Sequence, residues 1–381
     1  MKILRIIALT LSVTVMVMCL PFSVSALSDD EITAPAAVLM DAETGKVLYE
    51  KNPHEVRACA SITKVMTLLL VFEAIDSGKI SMDDTVTASA HAASMGGSDI
   101  WLEQGETMTV HEMIKATVVA SANDAAVALA EYVSGTEEEF VAQMNKKAKE
   151  LGMNETVFKN CNGLDEEGHV TSAYDVALMS RELIKHEKIF EYSGIWMDYL
   201  RDGKTQIVNT NKLLKSYDGI TGLKTGTTSQ AGSCISATAE RDGLSFIAVV
   251  LGSATGTERF TDAAKLLDYG FANYAMYLPT VPENAVCDIK VKNGMKPAVG
   301  TTVNISTPFL IAKGSDSEIT SEVSLPEEIE APVNKGDTVG KVIYKKGNEK
   351  IAEYSITAKS SVEQITFGAV FEMIFRSLVS S

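Results

Sequence analysis

The sequence predicts an α+β protein: an antiparallel sheet flanked by helices, then a small all-β C-terminal domain and an amphipathic tail helix. Three observations lead there. Strand-like runs at residues 36–40 and 46–49 return far along the chain at 232–239 and 244–251, with mainly helical segments between them. From residue 281 to about 358 the helical period disappears, and short alternating runs are punctuated by Gly, Pro, Asn and Asp. From residue 361 onward Val362, Ile365, Ala369, Phe371, Ile374, Phe375 and Leu378 recur at three- and four-residue spacing.

In chain order, Lys2 and Arg5 precede an apolar run over 6–20, closed by Pro21 and the small residues Ser23, Ser25 and Ala26. That is the pattern of a secretory leader over residues 1–26, cut after Ala26. A retained membrane anchor is the alternative, for which the run is short. Residues 36–40 and 46–49 read as a hairpin because Asp41, Thr44 and Gly45 lie between them. Residues 61–75 are apolar almost all round, the mark of a helix inside a large core. Further helices fit 110–133 and 137–151, the second closed by Gly152. Two strongly apolar strands, 232–239 and 244–251, join through Arg241-Asp242-Gly243, and a helix from Thr257 to about Tyr274 closes the first domain, 27–278. The β domain covers 279–360, with runs at 286–291, 301–305, 339–344 and 352–357. In the tail, 361–381, Glu363, Glu372 and Arg376 interrupt the apolar face. Such charges disfavour a spanning helix and favour binding at a membrane surface, with docking on the β domain as the alternative.

The formal charge is −16, and it becomes −18 when the two cations Lys2 and Arg5 leave with the leader. So acidic a surface excludes nucleic acid as a partner, since that requires clustered Lys and Arg. The cysteines after the leader (Cys59, Cys161, Cys234, Cys287) are widely spaced, without C-x-x-C, and read as small buried hydrophobes. His111-Glu112 has Lys115 where H-E-x-x-H needs its second histidine, so no metal site and no cofactor are expected.

The chemistry sits in three short polar islands in fixed order: Ser61-Ile62-Thr63-Lys64, Ser121-Ala122-Asn123, and Lys224-Thr225-Gly226-Thr227. With Ser61 at the start of the buried helix, Lys64 lies one turn on, on the same face. A desolvated lysine beside a second cation, Lys224, can be neutral and accept the serine proton. An ordinary N-cap would explain Ser61 but not Lys64 inside an apolar helix. Ser121 and Asn123 interrupt a small, apolar segment. Ser121 suits a proton relay to a leaving amine, and Asn123 suits a hydrogen bond to Lys64 or to a substrate amide, with a helix cap as the plain alternative. Residues 224–227 fit a sheet edge lining the cleft. There Gly226 leaves room for a peptide to pair, and the N–H groups of Thr227 and Ser61 could bind an oxyanion. A surface turn would also use these residue types.

S-x-x-K, a serine-containing second motif and K-T-G in that order form a known signature. On it the chain resembles the low-molecular-weight penicillin-binding proteins, serine-type D-alanyl-D-alanine carboxypeptidases. The resemblance extends over nearly the whole chain, through Ser94-Met95-Gly96-Gly97-Ser98, Asn162-Gly163-Leu164, the stretch from Gly168-His169 to Asp175, the β domain and the tail. It implies a serine transpeptidase/β-lactamase-like fold, with Ser61, Lys64 and Ser121 catalytic. It also implies substrate binding by Asn123, Lys224, Thr225, Gly226, Thr227 and Arg259, the last holding the substrate carboxylate. The substrate would be a peptidoglycan stem peptide and β-lactams covalent inhibitors, with the tail holding the protein to the outer face of the cytoplasmic membrane. Cys59 departs from the family, which usually has proline there. Three rivals share some of these features: a D,D-endopeptidase of peptidoglycan cross-links, a class A β-lactamase, and a non-catalytic β-lactam-sensing module. Against the lactamase, Glu166 and Glu167 lie in no E-x-x-L-N context.

Overall fold

The computed structural model describes residues 27–379, so the leader expected over 1–26 lies outside the described residues. The described residues form two compact units, 27–272 and 273–379.

The first unit is built on a five-stranded antiparallel sheet. Its strands are β1 (Ala36–Asp41), β2 (Val47–Lys51), β3 (Ile220–Thr228), β4 (Gly232–Arg241) and β5 (Leu244–Ser253), in the order β2-β1-β5-β4-β3. The expected β1–β2 hairpin forms, and Asp41 builds its turn by accepting the Thr44 N–H at 2.8 Å. Asp242 and Gly243 turn the chain between β4 and β5 with φ of 51° and 75°, the mirror-image turn that matches strand twist. β3 is an edge strand, as expected for residues 224–227. All six residues of β1 are buried, so the sheet carries helices on both faces.

The helix expected over 61–75 is α1 (Lys64–Asp76), with Lys64 to Phe72 buried without a break. It packs on Ala173–Leu183, which lies in turn on β5. One expected helix is two. Residues 110–133 divide into Val110–Lys115, a π-helical turn Ala116–Ala120, a left-handed Ser121 (φ 59°), and then α2 (Asn123–Ser134). No Gly or Pro announces the break, because π turn and left-handed residue are held by tertiary contacts. Cys59, Cys161 and Cys234 are buried free thiols as expected, but Cys287 is exposed.

The second unit carries a six-stranded sheet and a two-stranded one. Tyr274–Tyr277 pair with Phe309–Ala312, so the strand at 274–277 belongs here although the sequence reading ran the first domain to 278. The tail helix begins at Phe367 rather than near 361. Val362 pairs with Val333 and is buried in that unit's core, which holds the chain extended there. Among the described residues no helix is long and apolar enough to cross a membrane.

Candidate active site

Ser61 stands in a 3-10 turn, Ala60–Thr63, that runs directly into α1, one turn earlier than the sequence placed it. Ala60 is left-handed (φ 48°), as is Ser121. Two non-glycine residues in that region cost about 1 kcal/mol or more each, so surrounding contacts must hold them.

One such contact is the close approach of two glycines. A Cβ on Gly163 (φ 89°) would lie 1.9 Å from the Ala60 carbonyl oxygen, and one on Gly226 would lie 2.9 Å from the Ser61 nitrogen. The nucleophile turn is therefore packed between residue 163 and strand β3. The sequence reading had explained Gly226 by substrate pairing, whereas the structure shows that it first makes room for Ser61.

Lys64 is wholly buried, and its Nζ has three neighbours: Ser61 Oγ at 3.0 Å, Asn123 Oδ1 at 2.6 Å and the Asn162 carbonyl at 2.6 Å. Two of these can only accept. A neutral amine has two hydrogens for them, which leaves its lone pair facing the Ser61 hydroxyl. Asn123 cannot turn round, because its Nδ2 donates to the Gly96 carbonyl at 2.7 Å. Next to it, buried Asp124 accepts the N–H groups of Ile100 and Leu102 and so ties the 96–102 loop to the start of α2.

Lys224 is buried on β3, with its Nζ 2.9 Å from Ser121 Oγ and 3.1 Å from the Thr225 carbonyl. The two lysines thus each hold one serine. Burial pushes the Lys64 ammonium down to about 7. Lys224 lies well below the usual lysine range, first from burial and then from the charges of Lys64 and Arg259. Of the two causes the sequence suggests for Lys64, desolvation and a second cation, desolvation leads for both lysines.

Thr225 is buried and shares a 2.5 Å hydrogen bond with Thr210 Oγ1, while Thr227 is exposed at the lip. Arg259 reaches in from the helix Gly256–Asn273. Its Nη1 donates to the Gly226 carbonyl at 2.9 Å, to Thr227 Oγ1 at 2.8 Å and to the Cys234 carbonyl at 3.3 Å. Its Nε is buried without a partner among the described residues. In this state the guanidinium braces the K-T-G strand.

All nine residues singled out from the sequence therefore fall in one connected cluster. Sequence reasoning missed the Asn162 carbonyl and Thr210. A backbone acceptor has no side-chain signature, and Thr210 looks like any turn residue.

A serine hydrogen-bonded to a buried amine, beside a second serine–lysine pair, is the arrangement expected of an acyl-transferring serine hydrolase. Among the described residues no cluster of His, Cys, Asp or Glu could hold a metal. The chain belongs to the D-alanyl-D-alanine carboxypeptidase family, which residues 23–255 match, and residues 276–364 match the penicillin-binding protein 5 C-terminal domain. It is 47% identical over 338 residues to D-alanyl-D-alanine carboxypeptidase DacF of Bacillus subtilis, covering 88% of this chain and 87% of that protein. DacC of Escherichia coli is 33% identical over 352 residues, 90% of this chain and 88% of that one. Among solved structures, penicillin-binding protein 5 from Haemophilus influenzae superposes with a TM-score of 0.75 at 31% identity, covering 89% of this chain and all of that one. Penicillin-binding protein D2 from Listeria monocytogenes, in its ampicillin-bound form, gives 0.59 at 35% identity over 64% of this chain and all of that one. The expected fold and family are thus both found.

Proposed function

We propose that this protein is a D-alanyl-D-alanine carboxypeptidase that trims peptidoglycan stem peptides through a Ser61 acyl-enzyme. Ser61 Oγ attacks the penultimate D-alanine carbonyl carbon while its proton passes to neutral Lys64. The C–O bond forms as the carbonyl electrons move to oxygen, where the Ser61 and Thr227 N–H groups receive the charge. As the oxyanion collapses the C–N bond breaks, and the terminal D-alanine leaves with a proton delivered through Ser121 from Lys224; the proton that Lys64 took from Ser61 replaces it, which leaves Lys64 neutral again. Water, deprotonated by Lys64, then cleaves the ester and returns the proton to Ser61. Arg259, Thr225 and Thr227 face the substrate's terminal carboxylate, a task that suits a guanidinium with an unused N–H.

The observation that carries this reading is the Lys64 amine: of its hydrogen-bond neighbours among the described residues, only Ser61 can donate a proton to it. β-Lactams present a strained amide to the same serine and become covalent inhibitors. The Listeria neighbour with ampicillin bound supports that step. Glu166 and Glu167 are both exposed, and Glu166 is held by Asn160 Nδ2 at 3.1 Å. Ser61→Ala should abolish both D-alanine release and labelling by a fluorescent penicillin, and labelling that persists would refute the assignment.

The same reading places the enzyme outside the cytoplasmic membrane. Residues 1–26 serve as the secretory leader, and the tail helix lies on the membrane's outer face. Supporting the second point, Phe367, Phe371 and Phe375 stack along one exposed face of the helix, with ring centroids 6.3 and 6.4 Å apart.

A further inference from the structure

Thr63 and His169 are buried beside the nucleophile turn and take no part in the steps above. Their hydrogen bonds run in one direction only. The Lys159 N–H donates to His169 Nδ1 at 3.0 Å, so the ring proton must sit on Nε2. His169 Nε2 then donates to Thr63 Oγ1 at 2.7 Å, and Thr63 donates its own proton to the Ala60 carbonyl at 2.9 Å. The Cys59 thiol, 3.4 Å from Thr63 Oγ1, points at the same hydroxyl. That is where the residue that departs from the family's usual proline finds its partner.

The end of this chain of bonds matters because of peptide geometry. The Ala60 carbonyl and the Ser61 N–H belong to one planar trans peptide and point in opposite directions. A bond that fixes the carbonyl on the protein side therefore aims the N–H on the other. That N–H is the group expected to meet the developing oxyanion. The plane also needs holding, since Ala60 is left-handed and Gly163 and Gly226 press on its two ends. Accepting a proton at the carbonyl polarises the amide further and strengthens the N–H as a donor.

We infer that Thr63 and His169 are positioning residues for the oxyanion hole, acting through the Ala60–Ser61 peptide rather than on substrate. The inference rests on the reading of Ser61 as nucleophile. His169 suits the task because it does not change charge in the working range. Burial outweighs the nearby carboxylates of Asp165 and Glu166, with Lys159 adding to burial, and pushes the ring down to about 4. The relay therefore stays in one proton arrangement while Lys64 titrates.

An oxyanion donor stabilises the tetrahedral state more than the bound substrate, so its loss appears in the chemical step. Thr63→Val keeps the shape and removes the hydroxyl. In stopped-flow labelling with a fluorescent penicillin it should lower the acylation rate constant by about ten- to a hundredfold, with non-covalent binding unchanged. Affinity for a peptidyl boronic acid, which forms a tetrahedral adduct on serine, should fall by a similar factor. Thr63→Ser should restore both. Wild-type acylation in Thr63→Val, a loss confined to initial binding, or a slowed rate with undiminished boronate affinity would each overturn the inference. Should Thr63→Val fail to fold, His169→Phe tests the same relay one bond back, and must acylate severalfold more slowly with thermal stability retained. Unaltered rates there would remove the role of His169. Ser61→Ala in the same assay keeps the two readings apart. Labelling that persists in it removes the nucleophile, whereas wild-type rates in Thr63→Val remove only the relay.

Discussion

Acidification should switch acylation off through one amine. Lys64 ordinarily would hold its proton to 10.5, and burial brings it to about 7. That difference corresponds to about 5 kcal/mol between the charged and neutral forms. At neutral pH it changes the neutral fraction from about one molecule in three thousand to about one in two. Because the folded value is depressed, the competent base is present above about pH 7 and is lost as pH falls through it. The second-order acylation rate should therefore fall about tenfold per unit below about pH 6. Stopped-flow labelling by a fluorescent penicillin between about pH 5 and pH 9 measures this directly. Asn123→Ala supplies a control of opposite sign. Its Oδ1 accepts from Nζ at 2.6 Å and favours the ammonium, so its removal should move the acid limb to lower pH even as the plateau rate drops. A profile without an acid limb, or one centred near the ordinary lysine value, would refute the assignment of Lys64 as base.

Two further outcomes are expected. Gly163→Ala would put a Cβ 1.9 Å from the Ala60 oxygen at a φ of 89°, and should cost about 2–4 kcal/mol of stability and most of the acylation rate. A variant that melts and acylates like wild type would show that the approach is no constraint. Removing residues 367–381 should abolish flotation with lipid vesicles while leaving acylation intact, and unchanged flotation would sink the membrane role of the tail. The cut must fall after Thr366, because Val362 is part of the second unit's core.

Much of this was legible in the sequence because the chemistry forces unusual residues into unusual places. Lys64 in the middle of an apolar run, and Ser121 and Asn123 between small apolar residues, are costly unless they work together. The turn residues of both hairpins could likewise be read directly. The geometry joining the islands could not. Residues 110–133 have an unbroken helical composition, and only the packing of residues 96–102 against Asn123 and Asp124 shows why they bend. The sole sequence signal was Asn123-Asp124 itself, a pair favoured at helix starts. Gly226 was rightly marked as a place where backbone needs room, but what fills the room is the protein's own turn. Desolvation of Lys64 could be read from the apolar run around it, but its depth is a property of the assembled core.

The π turn at Ala116–Ala120 is the structural equivalent of one extra residue in a helix. Delete any one of those five and the segment could close into a regular helix running from Val110 to Ser134. Such a chain would be free of the cost of a left-handed serine, yet Ser121 would no longer meet Lys224. Natural drift toward a better helix is thus drift away from a working cleft, and a length change of one residue marks where stability and activity pull in opposite directions.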